Sequence, residues 1–161
     1  MLYIWILVNY LKNVIMTALN FSIKIKAQKE KVWTVLWTDE TYRKWSATFC
    51  EGSYAESNWN EGDPIHFLTP KGQGMFSVIE TKIPNKFMAF KHLGDIKDFK
   101  EVPNTPETEA WSGAMETYQL TEEDGYTILE TRVDVVEKHI DYFKTAFPRG
   151  LEKIKELSEE K

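Results

Sequence analysis

His92 and Glu116 are the two side chains in this sequence whose types suit proton transfer inside an apolar interior. A carboxylate beside an imidazole, both withdrawn from water, shifts both titrations and supplies a base and an acid. An inward histidine bonded to a carboxylate or a tyrosine also serves a purely structural role, and the residue types leave both roles open. Other chemistry is poorly supplied. His66, His92 and His139 fall on separate segments with no second His or Cys at ligand spacing, so no metal is expected. Cys50 is the one cysteine; it excludes an internal disulfide and points to a reducing, cytoplasmic setting. It follows Phe49 with no basic group nearby to hold a thiolate. The Gly-Gln-Gly at 72–74 is a hairpin signal with no helix after it, so it forms no phosphate cradle, and no cofactor is expected.

For His92 and Glu116 to meet, strands must carry them to one face. In the predicted strand Lys86–Leu93, Lys86 and Lys91 suit solvent, and Lys91 shares its face with Phe87, Ala89 and Leu93. Met88, Phe90 and His92 then point inward. In the strand predicted over Ser112–Thr121, Tyr118 and Leu120 are inward, and the same parity brings Glu116 with them.

The remaining elements follow from periodicity. "NFSIKIKA" alternates Phe21, Ile23 and Ile25 against Ser22, Lys24 and Lys26, the pattern of a half-buried strand. Val32, Trp33, Leu36 and Trp37 recur at helical spacing, and Asp39 is the expected N-cap of a second short helix. Further strands are predicted at Phe49–Tyr54, Pro64–Thr69, Met75–Ile83 and Tyr126–Val136, separated by "NEGD", "PKGQG", "IPN" and "EEDG". Residues 94–111, with Pro103 and Pro106, read as a mobile loop. Ile140, Phe143, Phe147, Leu151, Ile154 and Leu157 form the apolar stripe of a C-terminal helix, with a kink or break expected just before Pro148. The order predicts an α+β fold in which a curved antiparallel sheet of about seven strands wraps the C-terminal helix.

At 161 residues the chain makes one domain. Twenty-five acidic against 20 basic residues give a net charge of −5, with no basic run longer than a pair, so nucleic acid is excluded as a partner. Six Trp, seven Tyr and nine Phe exceed what a small core needs, and flat side chains line cavities as well as fill interiors. The apolar run Leu2–Val8 is too short for a bilayer, which takes about 20 apolar residues, and no stable membrane insertion is expected. Residues 1–16 are read as an extension ahead of a start at Met16, and 17–161 as the domain.

The text "KEKVWTVLWTDETYRKW", "NWNEGDPIHF", "GMFSVIETKIPNKFMAF", "METYQLTEEDGYTILETRV" and "YFKTAFPRGLEKIKEL", in that order, resembles the helix-grip superfamily of START-type lipid-binding, pollen-allergen-like and aromatase/cyclase-like proteins, known as SRPBCC. Within it the likeness is to the branch related to activators of the heat-shock-protein-90 ATPase, and it spans residues 19 to 157. The resemblance implies a cavity between sheet and C-terminal helix that in many members admits an apolar ligand or lipid. Trp45, Phe67, Met88, Phe90, His92, Trp111, Tyr118, Phe143 and Phe147 are the residues expected to line it, with Trp111 at its mouth. Three functions are compatible with that fold. The first is non-enzymatic binding of a small apolar or amphipathic molecule. The second is a chaperone accessory, although the chain has one domain and no second, chaperone-docking module. The third is a cyclase or hydrolase using His92 or Glu116.

Overall fold

The computed structural model describes residues 15–161; the expected extension over 1–16 lies almost wholly outside them. Strand β1 (Thr17–Ile25) is followed by helices α1 (Lys29–Trp37) and α2 (Asp39–Ser46), then by strands β2 (Tyr54–Glu56), β3 (Pro64–Leu68), β4 (Gly74–Ile83), β5 (Phe87–Lys97) and β6 (Lys100–Glu101). The short helix α3 (Pro106–Glu109) precedes strands β7 (Met115–Glu123) and β8 (Tyr126–Val135), and the long helix α4 (Ile140–Glu159) closes the chain. All pairings are antiparallel in the order β1-β8-β7-β5-β4-β3-β2, with β6 folded back on β5. The architecture is the expected α+β grip, with eight strands where seven were predicted. The additional strand, β6, is two residues of the segment read as a loop.

Two short helices form because their apolar residues recur at one-turn spacing. Val32, Val35 and Leu36 are buried on α1, and Tyr42 and Trp45 on α2. Thr38, extended, ends α1 and caps α2, so Asp39 is the first residue of α2 and not its cap. Its carboxylate holds Arg43 Nε at 2.9 Å one turn on. Trp45 donates its indole N–H to the Leu36 carbonyl at 3.1 Å, which fixes the angle between the two helices from inside the core.

The strand predicted from Phe49 starts only at Tyr54. Phe49 and Cys50 donate backbone N–H groups to the Ser46 carbonyl, and Ser53 to that of Cys50, so the chain leaves α2 through tight turns. Strand β7 likewise begins at Met115, because Ala114 N–H closes a turn on the Trp111 carbonyl.

Residues 94–111 are ordered structure. β5 runs on to Lys97, turns through Asp98 and Phe99, both at positive φ, and returns as β6. Phe99 N–H bonds the Gly72 carbonyl at 2.9 Å, which ties this hairpin to the β3–β4 turn.

Helix α4 is continuous through Pro148. A proline inside a helix strands the carbonyl four residues earlier, here that of Lys144. Lys144 and Pro148 both lie on the exposed face, so that carbonyl has access to solvent. Phe147, Leu151, Ile154 and Leu157 are buried on the opposite face. Gly150 is the point of closest approach: a Cβ there would sit 2.7 Å from the Phe49 ring.

Candidate functional site

Between the concave face of the sheet, helix α2 with the turn after it, and the first half of α4 lies a cavity of about 410 Å³. That volume is within the range of small-molecule pockets, roughly 300–1,000 Å³. Twelve of its 26 lining residues are aromatic, and lysine and arginine are absent from the lining.

The wall is built from three directions. Trp37, Tyr42, Trp45 and Phe49 come from α1, α2 and the turn after α2; Phe67, Phe90 and Tyr118 from the sheet; Tyr142, Phe143 and Phe147 from α4. Trp37 stands at the centre of the packing. Its ring is edge-on to Tyr118 at 5.0 Å and to Phe90 at 5.4 Å. Phe67 meets Phe90 edge-on at 5.3 Å, and Phe147 lies between Phe21 and Phe49 at 5.0 Å from each. Such edge-to-face contacts hold the rings in fixed orientations, so the wall is preformed.

The polar part of the wall is a chain of four side chains. Ser77 Oγ is 2.8 Å from His92 Nδ1, His92 Nε2 is 3.0 Å from Glu116 Oε2, and the Tyr118 hydroxyl donates to Glu116 Oε1 at 2.5 Å. With Glu116 as the carboxylate it accepts at both oxygens. His92 then carries its proton on Nε2 and accepts the Ser77 hydroxyl proton at Nδ1. Burial, and next the charge of Glu116, push the Tyr118 hydroxyl well above its ordinary value, so it stays a donor. Burial and the same charge raise Tyr42.

His92 and Glu116 reach the cavity wall together, while Ser77, 2% exposed, is not on it. The arrangement is a base and acid facing the cavity, with a hydroxyl bonded to the far nitrogen of the imidazole.

Trp45, Phe67, Phe90, His92, Trp111, Tyr118, Phe143 and Phe147 all lie on the wall. Met88 does not: it points inward as predicted but is fully buried in the core, outside the cavity lining. Parity chose its face correctly and says nothing of depth along the strand.

Trp37, Tyr42, Asp95 and Tyr142 are wall residues the sequence did not single out. For Asp95 the reason is a β-bulge. Ser77 pairs with His92 but Phe76 pairs with Gly94, so Leu93 is an extra residue that reverses the alternation of β5. Asp95 then falls opposite Met75, another wall residue. Thr108 donates to its Oδ2 at 3.1 Å.

The other candidate groups lie apart. His66 pairs with Glu101 at 2.7 Å, away from the cavity lining, while His139 is an exposed residue of that lining. Cys50 is exposed, and no cluster of three metal-ligating side chains occurs among the described residues. Among the same residues no helix is long and apolar enough to cross a membrane.

No family model and no curated protein matches the chain. Solved structures do. The Aha1 dimer from Colwellia psychrerythraea is 24% identical and superposes with a TM-score of 0.67 over 89% of this chain and 97% of that one. Protein MLL2253 from Mesorhizobium loti, 15% identical, gives 0.69 over 88% and 96%. CalU16 from Micromonospora echinospora, 12% identical, gives 0.63 over 89% and 77%. These likenesses establish the helix-grip fold for nearly the whole described chain.

Proposed function

We propose that this domain binds a small molecule with an apolar body, held between the sheet and the C-terminal helix. The observation that carries the proposal is the 410 Å³ cavity and its twelve aromatic wall residues. A second supports it. Trp37 is on the wall, and its indole Nε1 is buried with no hydrogen-bond partner among the described residues. An unpaired buried donor costs about 1–3 kcal/mol, and a ligand carrying an acceptor offers it a partner.

Three of the six tryptophans, Trp37, Trp45 and Trp111, line the cavity, so occupancy must alter intrinsic emission. Native mass spectrometry of freshly purified protein detects a co-purified mass. A fluorescence and melting screen of fatty acids, sterols, polyaromatics and long-chain amines then identifies the class. A ligand at a hundred times its Kd stabilises the fold by about 2.7 kcal/mol. If none of these compounds changes emission or melting, and no co-purified mass is found, the binding reading fails.

A second reading, a chaperone accessory, is supported by a separate observation. The likeness to the Aha1 dimer spans nearly the full length of both chains, and the sequence motifs resemble activators of the heat-shock-protein-90 ATPase. A pull-down with that chaperone which recovers none of this protein removes it. For the third reading, an enzyme, the cavity offers Glu116 and His92 as acid and base, whereas Ser77 lies off the cavity wall.

A further inference from the structure

The charge of the cavity wall narrows the ligand class. We infer that the cavity selects a cationic amphiphile: a protonated or quaternary amine on an apolar body, in preference to a neutral or anionic molecule of the same shape. The inference rests on the binding reading above and deepens it.

Three carboxylates, Asp95, Glu116 and Asp134, contribute to the lining, and no lysine or arginine does. Asp134 is already paired with Arg132 at 2.9 Å, so it is set aside. Asp95 and Glu116 have no lysine or arginine within ion-pair distance among the described residues. Asp95 takes a neutral hydroxyl from Thr108, and Glu116 a neutral hydroxyl from Tyr118 together with the His92 ring. A carboxylate has about four acceptor positions, so these bonds leave each able to accept a donor from a ligand. An anionic headgroup here meets two carboxylates and no lysine or arginine; an ammonium meets their attraction.

The aromatic wall acts in the same direction. Ring faces carry negative charge, and a cation within about 6 Å of a ring centroid is attracted, more strongly where water is excluded. Trp37, Tyr42 and Tyr118 line the same cavity as Glu116, and Glu116's charge helps raise both tyrosines, which places them within its field. The chain's negative charge of −5 favours approach of a cation as well.

The test is isothermal titration of the full chain at pH 7 with decyltrimethylammonium, decanol and decanoate, each below its micelle concentration. The expected result is tightest binding of the cation, at least about tenfold tighter than the alcohol, with decanoate weakest; tenfold corresponds to about 1.4 kcal/mol. In Glu116→Gln the ratio of cation to alcohol affinity falls toward one, and Asp95→Asn lowers it by a smaller factor. Equal binding of all three compounds, or tighter binding of decanoate, overturns the cation inference and leaves the binding reading standing. Binding of none overturns both. A cation preference that persists undiminished in both variants also overturns it, because the preference then does not come from these carboxylates. The unmodified chain alone decides the ratio if a variant fails to fold.

Discussion

His92 Nε2 and Glu116 Oε2 lie 3.0 Å apart across the neighbouring strands β5 and β7, and the other oxygen of Glu116 holds the Tyr118 hydroxyl. One carboxylate therefore satisfies two buried donors. Removing it in Glu116→Ala strands both, and the expected loss is about 1–3 kcal/mol, read as a lowered denaturant midpoint at unchanged slope. Glu116→Gln keeps an acceptor for one of the donors and is expected to lose less. Equal stability of the alanine variant and the parent shows that the network contributes nothing to the fold.

The raised hydroxyls of Tyr42 and Tyr118 predict how the protein fails in alkali. An unfolded tyrosine ionises near pH 10, whereas burial and the Glu116 charge keep these two protonated beyond it in the folded chain. The stability involved is fully present below about pH 10. It is lost as pH rises above that value, because the unfolded state alone releases the protons. In an absorbance titration at phenolate wavelengths, part of the signal of the seven tyrosines is expected to appear only with the loss of tertiary structure. The double variant Tyr42→Phe/Tyr118→Phe should lack that late component; its persistence assigns the component to other tyrosines.

The meeting of His92 and Glu116 was legible in the sequence because both lie where β5 and β7 keep strict alternation. Asp95 was not, because Leu93 interrupts the alternation three residues after Phe90, and a bulge leaves no mark on residue types. The β5–β6 turn was hidden for a related reason. Such turns normally announce themselves with Asn-Gly or Asp-Gly, as Asp124-Gly125 does, but this one places Asp98 and Phe99 at positive φ. Glycine and proline signals alone made residues 94–111 look like a loop.

Pro148 is the residue whose cost the fold tolerates most visibly. Proline in a helix interior is about 3 kcal/mol less favourable than alanine, yet α4 continues because the lost hydrogen bond falls on its exposed face. Pro148→Ala restores the N–H to Lys144 and contacts nothing buried. It is expected to raise stability by about 1–3 kcal/mol, seen as a higher melting temperature. No gain, or a loss, means that the proline's geometry is itself needed to seat Phe147 and Leu151.

Gly150 links the stability of α4 to the shape of the cavity. Glycine in mid-helix costs about 1 kcal/mol relative to alanine, so Gly150→Ala starts with a gain of that size. Against it, the new Cβ would lie 2.7 Å from the Phe49 ring and 3.3 Å from Thr48 Oγ1, so one of the contacts must give. Phe49 is packed edge-on to Trp45 at 6.2 Å and to Phe147 at 5.0 Å, and the free space beside it is the cavity it lines. The ring therefore yields into the cavity, and the two energies nearly cancel. Gly150→Ala is expected to change stability by less than about 1 kcal/mol while weakening whichever compound the titrations show to bind. The larger Gly150→Leu cannot be absorbed this way and should destabilise by about 1–3 kcal/mol. If the alanine variant loses that much stability while binding as before, Phe49 has not moved, and the clash has been taken up by the backbone of α4.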